Sequence, residues 1–134
     1  MKKHFGKFGI ALVAALLMLL TCALCASAAG TATVVYLGDK GGDGLTPETA
    51  TSSINTAYSL LDPDKDCTVV LCGEFAQVGN FARGHAAKSI TITSVYDGVD
   101  YRKTNKAVYK VNGNRFALAD DTTFENMTFE TTGG

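Results

Sequence analysis

The stretch GDKGGDG at residues 38–44 puts four glycines, two aspartates and a lysine into seven positions, a composition that could cradle a phosphate or hold a cation. A phosphate loop needs Ser or Thr after its lysine and a helix opening directly from the loop, so that backbone N–H groups point at the anion. Here Gly41 follows Lys40, and two aspartates repel an anionic ligand. A calcium loop of the EF-hand kind needs acids at positions 1, 3, 5 and 12 and glycine at 6. Counted from Asp39, position 3 is Gly41 and position 12 is Ala50. Counted from Asp62 in DPDKD, Asp64 and Asp66 fall correctly, but Cys67 takes the glycine position and Gly73 that of the last acid. Both runs therefore read as solvated turns, and neither is assigned a metal.

Other reactive side chains lack partners at useful spacing. His85 sits in RGHAAK beside Arg83 and Lys88, with no carboxylate or nucleophile paired to it in the sequence, and reads as an exposed loop histidine. Asp120 and Asp121 are adjacent; in an extended chain they face opposite ways and cannot serve one site. No catalytic residue, cofactor ligand or metal ligand is assigned. Cations and aromatic rings interleave at Tyr101, Arg102, Lys103, Lys106, Tyr109 and Lys110. These six form a candidate contact for an anionic polysaccharide, set against the plainer reading of a solvated loop.

The first 29 residues follow a different logic. A cationic start (Lys2, Lys3, Lys7), an apolar run of 16 residues from 9 to 24 and the small residues Ala26, Ser27 and Ala28 make a secretory signal peptide, cleaved after Ala28 or Ala29. The rival, an uncleaved anchor, wants roughly 20 apolar residues. Cys22 after Leu19 hints at lipidation, but Thr21 and a second cysteine at Cys25 fit that poorly. Residues 30–134 then form one small domain, secreted or held at the cell surface, with no stable membrane span after cleavage. This part carries nine basic and thirteen acidic residues, a formal charge of −4, which argues against nucleic acid as a partner. It keeps Cys67 and Cys72, at the ends of CTVVLC. In a strand they stand five residues apart at ~3.3 Å each and face opposite ways, beyond the ~7 Å Cα limit for a disulfide. A bridge needs a bend; without one they fill the core.

One segment has helical periodicity: Ile54, Ala57, Tyr58 and Leu61 fall on one stripe, with Ser52 or Ser53 to cap it and Pro63 to stop it. The rest reads as seven short strands rich in Val, Ile, Thr, Phe and Tyr: 32–37, 67–72, 89–94, 107–111, 115–118, 122–125 and 127–130. NGN at 112–114 invites a tight turn with positive φ. Asn126, alone between TTFE and MTFE, tolerates the left-handed region and can turn the chain without a hairpin. The strands on its two sides must then each pair with something else, as in a solenoid. The spacing from Val69 to Ile92 and on to Ala117, 23 and 25 residues, is compatible with a repeat.

The strand leading into GDKGGDGLTPETA, the helix SSINTAYSLL and the strand-to-glycine run CTVVLCGEF resemble the start of the pectate-lyase-like right-handed parallel β-helix superfamily. SITITS and DTTFENMTFE look like its coil strands, with Asn126 as its asparagine corner. The resemblance implies an all-β fold: a right-handed parallel β-helix whose opening end is covered by one short capping helix. It implies a polysaccharide-related or adhesion role, non-catalytic in this segment. The alternative is the N-terminal part of a polysaccharide lyase or glycoside hydrolase whose active site lies beyond residue 134. Family members usually run for several more coils, so the chain is expected to be an N-terminal fragment. No lyase calcium ligand or basic residue of that family has a counterpart here.

Overall fold

A computed structural model describes residues 30–82, 86–113, 115–117 and 121–131; the leader, Arg83, His85 and Asp120 lie outside them. The described residues form eleven short strands and two helices. β1 (Val34–Leu37), β2 (Asp66–Leu71), β5 (Ser89–Thr93) and β10 (Thr122–Glu125) make a four-stranded sheet in the order β1-β2-β5-β10. β3 (Glu74–Ala76), β8 (Val108–Lys110) and β11 (Phe129–Glu130) make a second in the order β11-β8-β3, and β4 (Phe81–Ala82) pairs with β9 (Phe116–Ala117). All of these pairings are parallel; β6 (Val95–Tyr96) and β7 (Val99–Asp100) form an antiparallel hairpin.

In-register pairing explains the core. Val35 lies beside Val69, Val69 beside Ile92, and Ile92 beside Phe124; the first three are fully buried. In the second sheet Phe75, Tyr109 and Phe129 align in the same way, with the Phe75 and Tyr109 rings 5.0 Å apart and the Tyr109 and Phe129 rings 5.7 Å apart. Because side chains alternate across a strand, each register lines up one apolar column. β10 and β11 flank Asn126, which has φ +50°, and they pair with β5 and β8, not with each other.

The first helix, α1 (Ile54–Leu60), buries Ile54, Ala57 and Tyr58. Its Ser53 cap accepts a hydrogen bond from the Thr56 N–H at 3.2 Å, satisfying a donor that the helix start leaves unpaired. The chain around it covers the outer edge of β1. Tyr36 N–H donates to Gly44 O, Thr51 N–H to Tyr36 O and Gly38 N–H to Thr51 O, while Ala32 N–H donates to Leu60 O and Asp62 N–H to Ala32 O. GDKGGDG is part of that cover. A Cβ at Gly42 would stand 2.4 Å from Thr49 O, and Gly44 has φ +78°, so the close approach and the turn both require glycine there. Asp43 closes the loop as its Oδ1 accepts from Leu45 N–H (3.1 Å) and Thr49 Oγ1–H (2.6 Å).

The structure corrects the expected all-β, right-handed parallel β-helix. The strands are distributed over four separate small sheets, mostly parallel but with one antiparallel pair, and two helices interrupt them. The departure is local in origin. Asp97 (φ +49°) and Gly98 (φ +77°) close the β6–β7 hairpin with two left-handed residues, the preferred turn between antiparallel strands. Asp100 then caps a second helix, α2 (Tyr101–Thr104), accepting from Arg102 N–H at 3.1 Å. Among the described residues no helix is long and apolar enough to cross a membrane.

Candidate functional site

A cleft of about 170 Å3 opens between the start of α1 and the end of β3. α1 and its cap supply Ser52, Ser53, Ile54 and Asn55; β3 and the following turn supply Phe75, Ala76, Gln77, Val78 and Asn80. None of these side chains ionises in the physiological range, so the lining is neutral: an apolar floor that includes the buried Ile54 and Phe75, and hydroxyls and amides around it.

Two amides fix the wall. The buried Gln77 donates from Nε2 to Gly79 O (2.8 Å) and Arg115 O (2.9 Å), and its Oε1 accepts from the Tyr109 hydroxyl at 3.2 Å. Its own N–H donates to Lys110 O. Asn80 Oδ1 accepts from Arg115 N–H at 2.7 Å. The turn after β3 is thereby tied to the chain before β9, and the amide planes are held rather than left to rotate. Burial pushes the Tyr109 phenol far above its usual range, so it stays a neutral donor.

The six residues of the basic aromatic run are not presented together. Tyr109 is fully buried and Tyr101 is 8% exposed; neither ring can stack on a sugar at the surface. Arg102 is turned back onto its own cap, with Nε 2.9 Å from Asp100 Oδ1 and an Nη 2.8 Å from Oδ2, and Lys103 lies 3.6 Å from the same carboxylate. The Arg102 hydrogen bonds hold the Asp100 carboxyl down at about 2. Lys110 bridges Glu74 (2.7 Å) and Glu130 (3.9 Å), and the Glu74 contact raises its ammonium above its ordinary value. Lys106 is exposed, at φ +54°.

The remaining candidates are structural where they are described. Cys67 and Cys72 are free and buried. Cys72 lies 3.6 Å from Leu37 O, and burial raises its thiol to about 11, too high for a thiolate nucleophile. Asp62 Oδ1 accepts from Asp64 N–H in the turn that ends α1. Asp121 contributes its carbonyl to Ile90 N–H. Among the described residues no three His, Cys, Asp or Glu side chains converge to hold a metal ion. Sequence reading missed Gln77, Asn80 and Asn55, because uncharged amides in a turn or on the exposed face of a short helix carry no periodic signal. The run FAQVGN offered only its turn-forming GN. No protein-family model, no curated protein and no solved structure matches the chain.

Proposed function

We propose that the chain is exported and works outside the cell or at its surface as a non-catalytic module with a polysaccharide-related or adhesion role, taking a neutral, hydroxyl-rich ligand in the cleft between α1 and β3. The leader pattern of residues 1–29 supports export. The observation that carries the ligand class is the lining: amides and hydroxyls over an apolar floor with no ionisable side chain among them. An uncharged polyol satisfies such a wall through hydrogen bonds and lays its C–H face on the floor, whereas an anionic or cationic group would lose hydration there without a counter-charge. The cleft is smaller than the ~300–1,000 Å3 of pockets that enclose a whole ligand, so it takes one unit or branch of a longer glycan.

The test is amide chemical-shift mapping of residues 30–134 with neutral oligosaccharides from β-glucan and mannan, and with oligogalacturonate. The expected result is saturable shifts at Asn55, Ala76 and Val78 with a neutral glycan. Val78 is 95% exposed, so Val78→Asp adds a charge at the rim without disturbing packing, and the variant loses those shifts at an unchanged melting temperature. Shifts confined to Lys103 and Lys106 with oligogalacturonate, or none at the cleft with any glycan, would refute the reading.

A further inference from the structure

The four-stranded sheet carries a second row of side chains on its outward face. Tyr36, Val70 and Thr93 lie side by side there, one residue out of step with the buried column of Val35, Val69 and Ile92 and so on the opposite face. Yet Val70 is fully buried and Thr93 is 5% exposed. Their cover is the β6–β7 hairpin. Thr93 Oγ1 accepts from Val95 N–H at 3.1 Å, which starts the hairpin at the sheet surface, and the Tyr96 ring reaches back to stand 6.4 Å from the Tyr36 ring, with the two planes at 81°. Tyr101, at the start of α2, completes the cover; its N–H donates to Ser94 O at 2.9 Å and it is 8% exposed.

Tyr36 and Tyr96 are only half-buried, and neither hydroxyl has a hydrogen-bond partner among the described residues. Two carboxylates flank them. Asp97 follows Tyr96 in the hairpin turn, and Glu48 lies in the strip beside β1, between the two groups that bond the Tyr36 backbone, Gly44 O and Thr51 N–H. Both acids are exposed, and neither makes an ion pair or hydrogen bond among the described residues. Neighbouring cations are engaged elsewhere, Arg102 and Lys103 with Asp100 and Lys40 with Asp39. Burial first, then the fields of Tyr96, Cys72, Asp97 and Glu48, hold the Tyr36 phenol above its ordinary value. Tyr36 is thus a neutral ring in a negative field.

We propose that this corner binds a quaternary ammonium group, with Tyr36 and Tyr96 as two aromatic walls and Glu48 and Asp97 as the counter-charge. A cation is drawn to the face of an aromatic ring within ~6 Å of its centroid. For near-perpendicular walls with centroids 6.4 Å apart, a cation seated over both faces lies roughly 4.5 Å from each, inside that reach. Alkylation suits the site, because a compact primary ammonium is strongly hydrated and gives up that water at greater cost, whereas methyl groups lie directly against the rings. A neutral sugar fits less well. Perpendicular rings cannot both lie flat on one pyranose, and covering Glu48 and Asp97 without a counter-charge costs hydration. The corner shares no residue with the cleft between α1 and β3, so it is a second site with a different ligand class.

The test is an NMR titration of residues 30–134, which contain every described residue, with tetramethylammonium chloride. The ring resonances of Tyr36 and Tyr96 should shift saturably, and should not shift with sodium chloride at the same ionic strength. Tyr96→Leu removes one wall and should weaken binding about two- to fivefold, while Tyr96→Phe keeps the ring face and should bind nearly as the parent does. Glu48→Gln combined with Asp97→Asn tests the counter-charge without touching a ring. Asparagine tolerates the positive φ of residue 97, so the melting temperature should hold while affinity falls and loses most of its dependence on added salt. Equal shifts with sodium chloride would overturn the proposal, as would a folded Tyr96→Leu or a folded charge variant that binds like the parent. Acetyl-lysine amide binding as tightly as tetramethylammonium would also overturn it, since the corner would then suit a lysine side chain of a polypeptide.

Discussion

Gln77 is the residue whose replacement reports most directly on the cleft wall. Gln77→Ala removes three side-chain hydrogen bonds, two donated to Gly79 O and Arg115 O and one accepted from the Tyr109 hydroxyl, each contributing about 1 kcal/mol net. It also removes one buried methylene, at about 0.8 kcal/mol. The sum is about 4 kcal/mol; the two carbonyls belong to exposed residues and water can re-solvate them, whereas the Tyr109 hydroxyl loses this acceptor on a fully buried residue. For a domain of this size each kcal/mol lowers Tm by about 4–8 °C, so the variant should melt roughly 15–30 °C below the parent when followed by circular dichroism. Gln77→Glu separates the donor role from packing. Its carboxylate would face two carbonyl oxygens, which raises its folded pKa above the unfolded value of about 4.3. The sign follows: its stability deficit is small below that pH and grows as pH rises through the folded pKa. A melting temperature of Gln77→Ala equal to the parent's, or a Gln77→Glu variant that gains stability toward neutral pH, would refute the placement of this amide.

Two other perturbations address the elements that frame the cleft and the edge. Gly42→Ala puts a Cβ 2.4 Å from Thr49 O, a contact that cannot be relieved without moving the strip that covers β1; the expected outcome is a lower melting temperature and faster hydrogen exchange at the Tyr36 and Gly38 amides, while Gly113→Ala, where a Cβ meets nothing within 4 Å, leaves those amides unchanged. The Asp100 carboxyl is depressed to about 2, chiefly by its hydrogen bonds from Arg102, so its contribution is present above the unfolded value near ~3.9 and is lost as pH falls toward 2; Asp100→Asn should lower stability at neutral pH and flatten that part of an acid-unfolding curve, so that variant and parent converge as pH falls toward 2.

How far the sequence carried depends on the length of each element. α1 was legible because Ile54, Ala57 and Tyr58 mark one face over two turns, Ser53 can cap and Pro63 follows; the observed helix keeps that cap and that buried face. β2 and β5 were legible from runs of Val, Ile and Thr long enough to show β-propensity. β3, β4, β6 and β7, of two or three residues each, are too short for any period to register. α2 spans four residues and was hidden in a run whose charges drew it toward a surface reading. That run contained its own correction. In a strand, Tyr109 and Lys110 must face opposite ways, so a ladder that exposes the lysine buries the tyrosine, and the two cannot belong to one binding face. The fold class failed for a related reason: Val, Ile and Thr specify an extended chain but not the sheet it joins, and the Asp97-Gly98 hairpin shows that one two-residue turn can divert the chain from the parallel pattern around it.

The glycine-rich segment links the local chemistry to the behaviour of the whole surface. One of its aspartates, Asp43, is held within the molecule by Leu45 and Thr49, and its glycines admit the close contacts that let residues 44–62 lie along β1. A sheet with both edges covered could offer only side chains to a partner, and one with both edges bare could grow without limit. Covering β1 takes its outward backbone donors and acceptors out of reach of another chain. On this reasoning Gly42→Ala should do more than lower stability: by loosening the cover on β1 it should bare that strand's backbone groups, and the variant should form larger species than the parent does at the same concentration. Light scattering of Gly42→Ala that shows the parent's mass, with the Tyr36 amide nonetheless exchanging freely, would mean that the covering strip does not limit assembly.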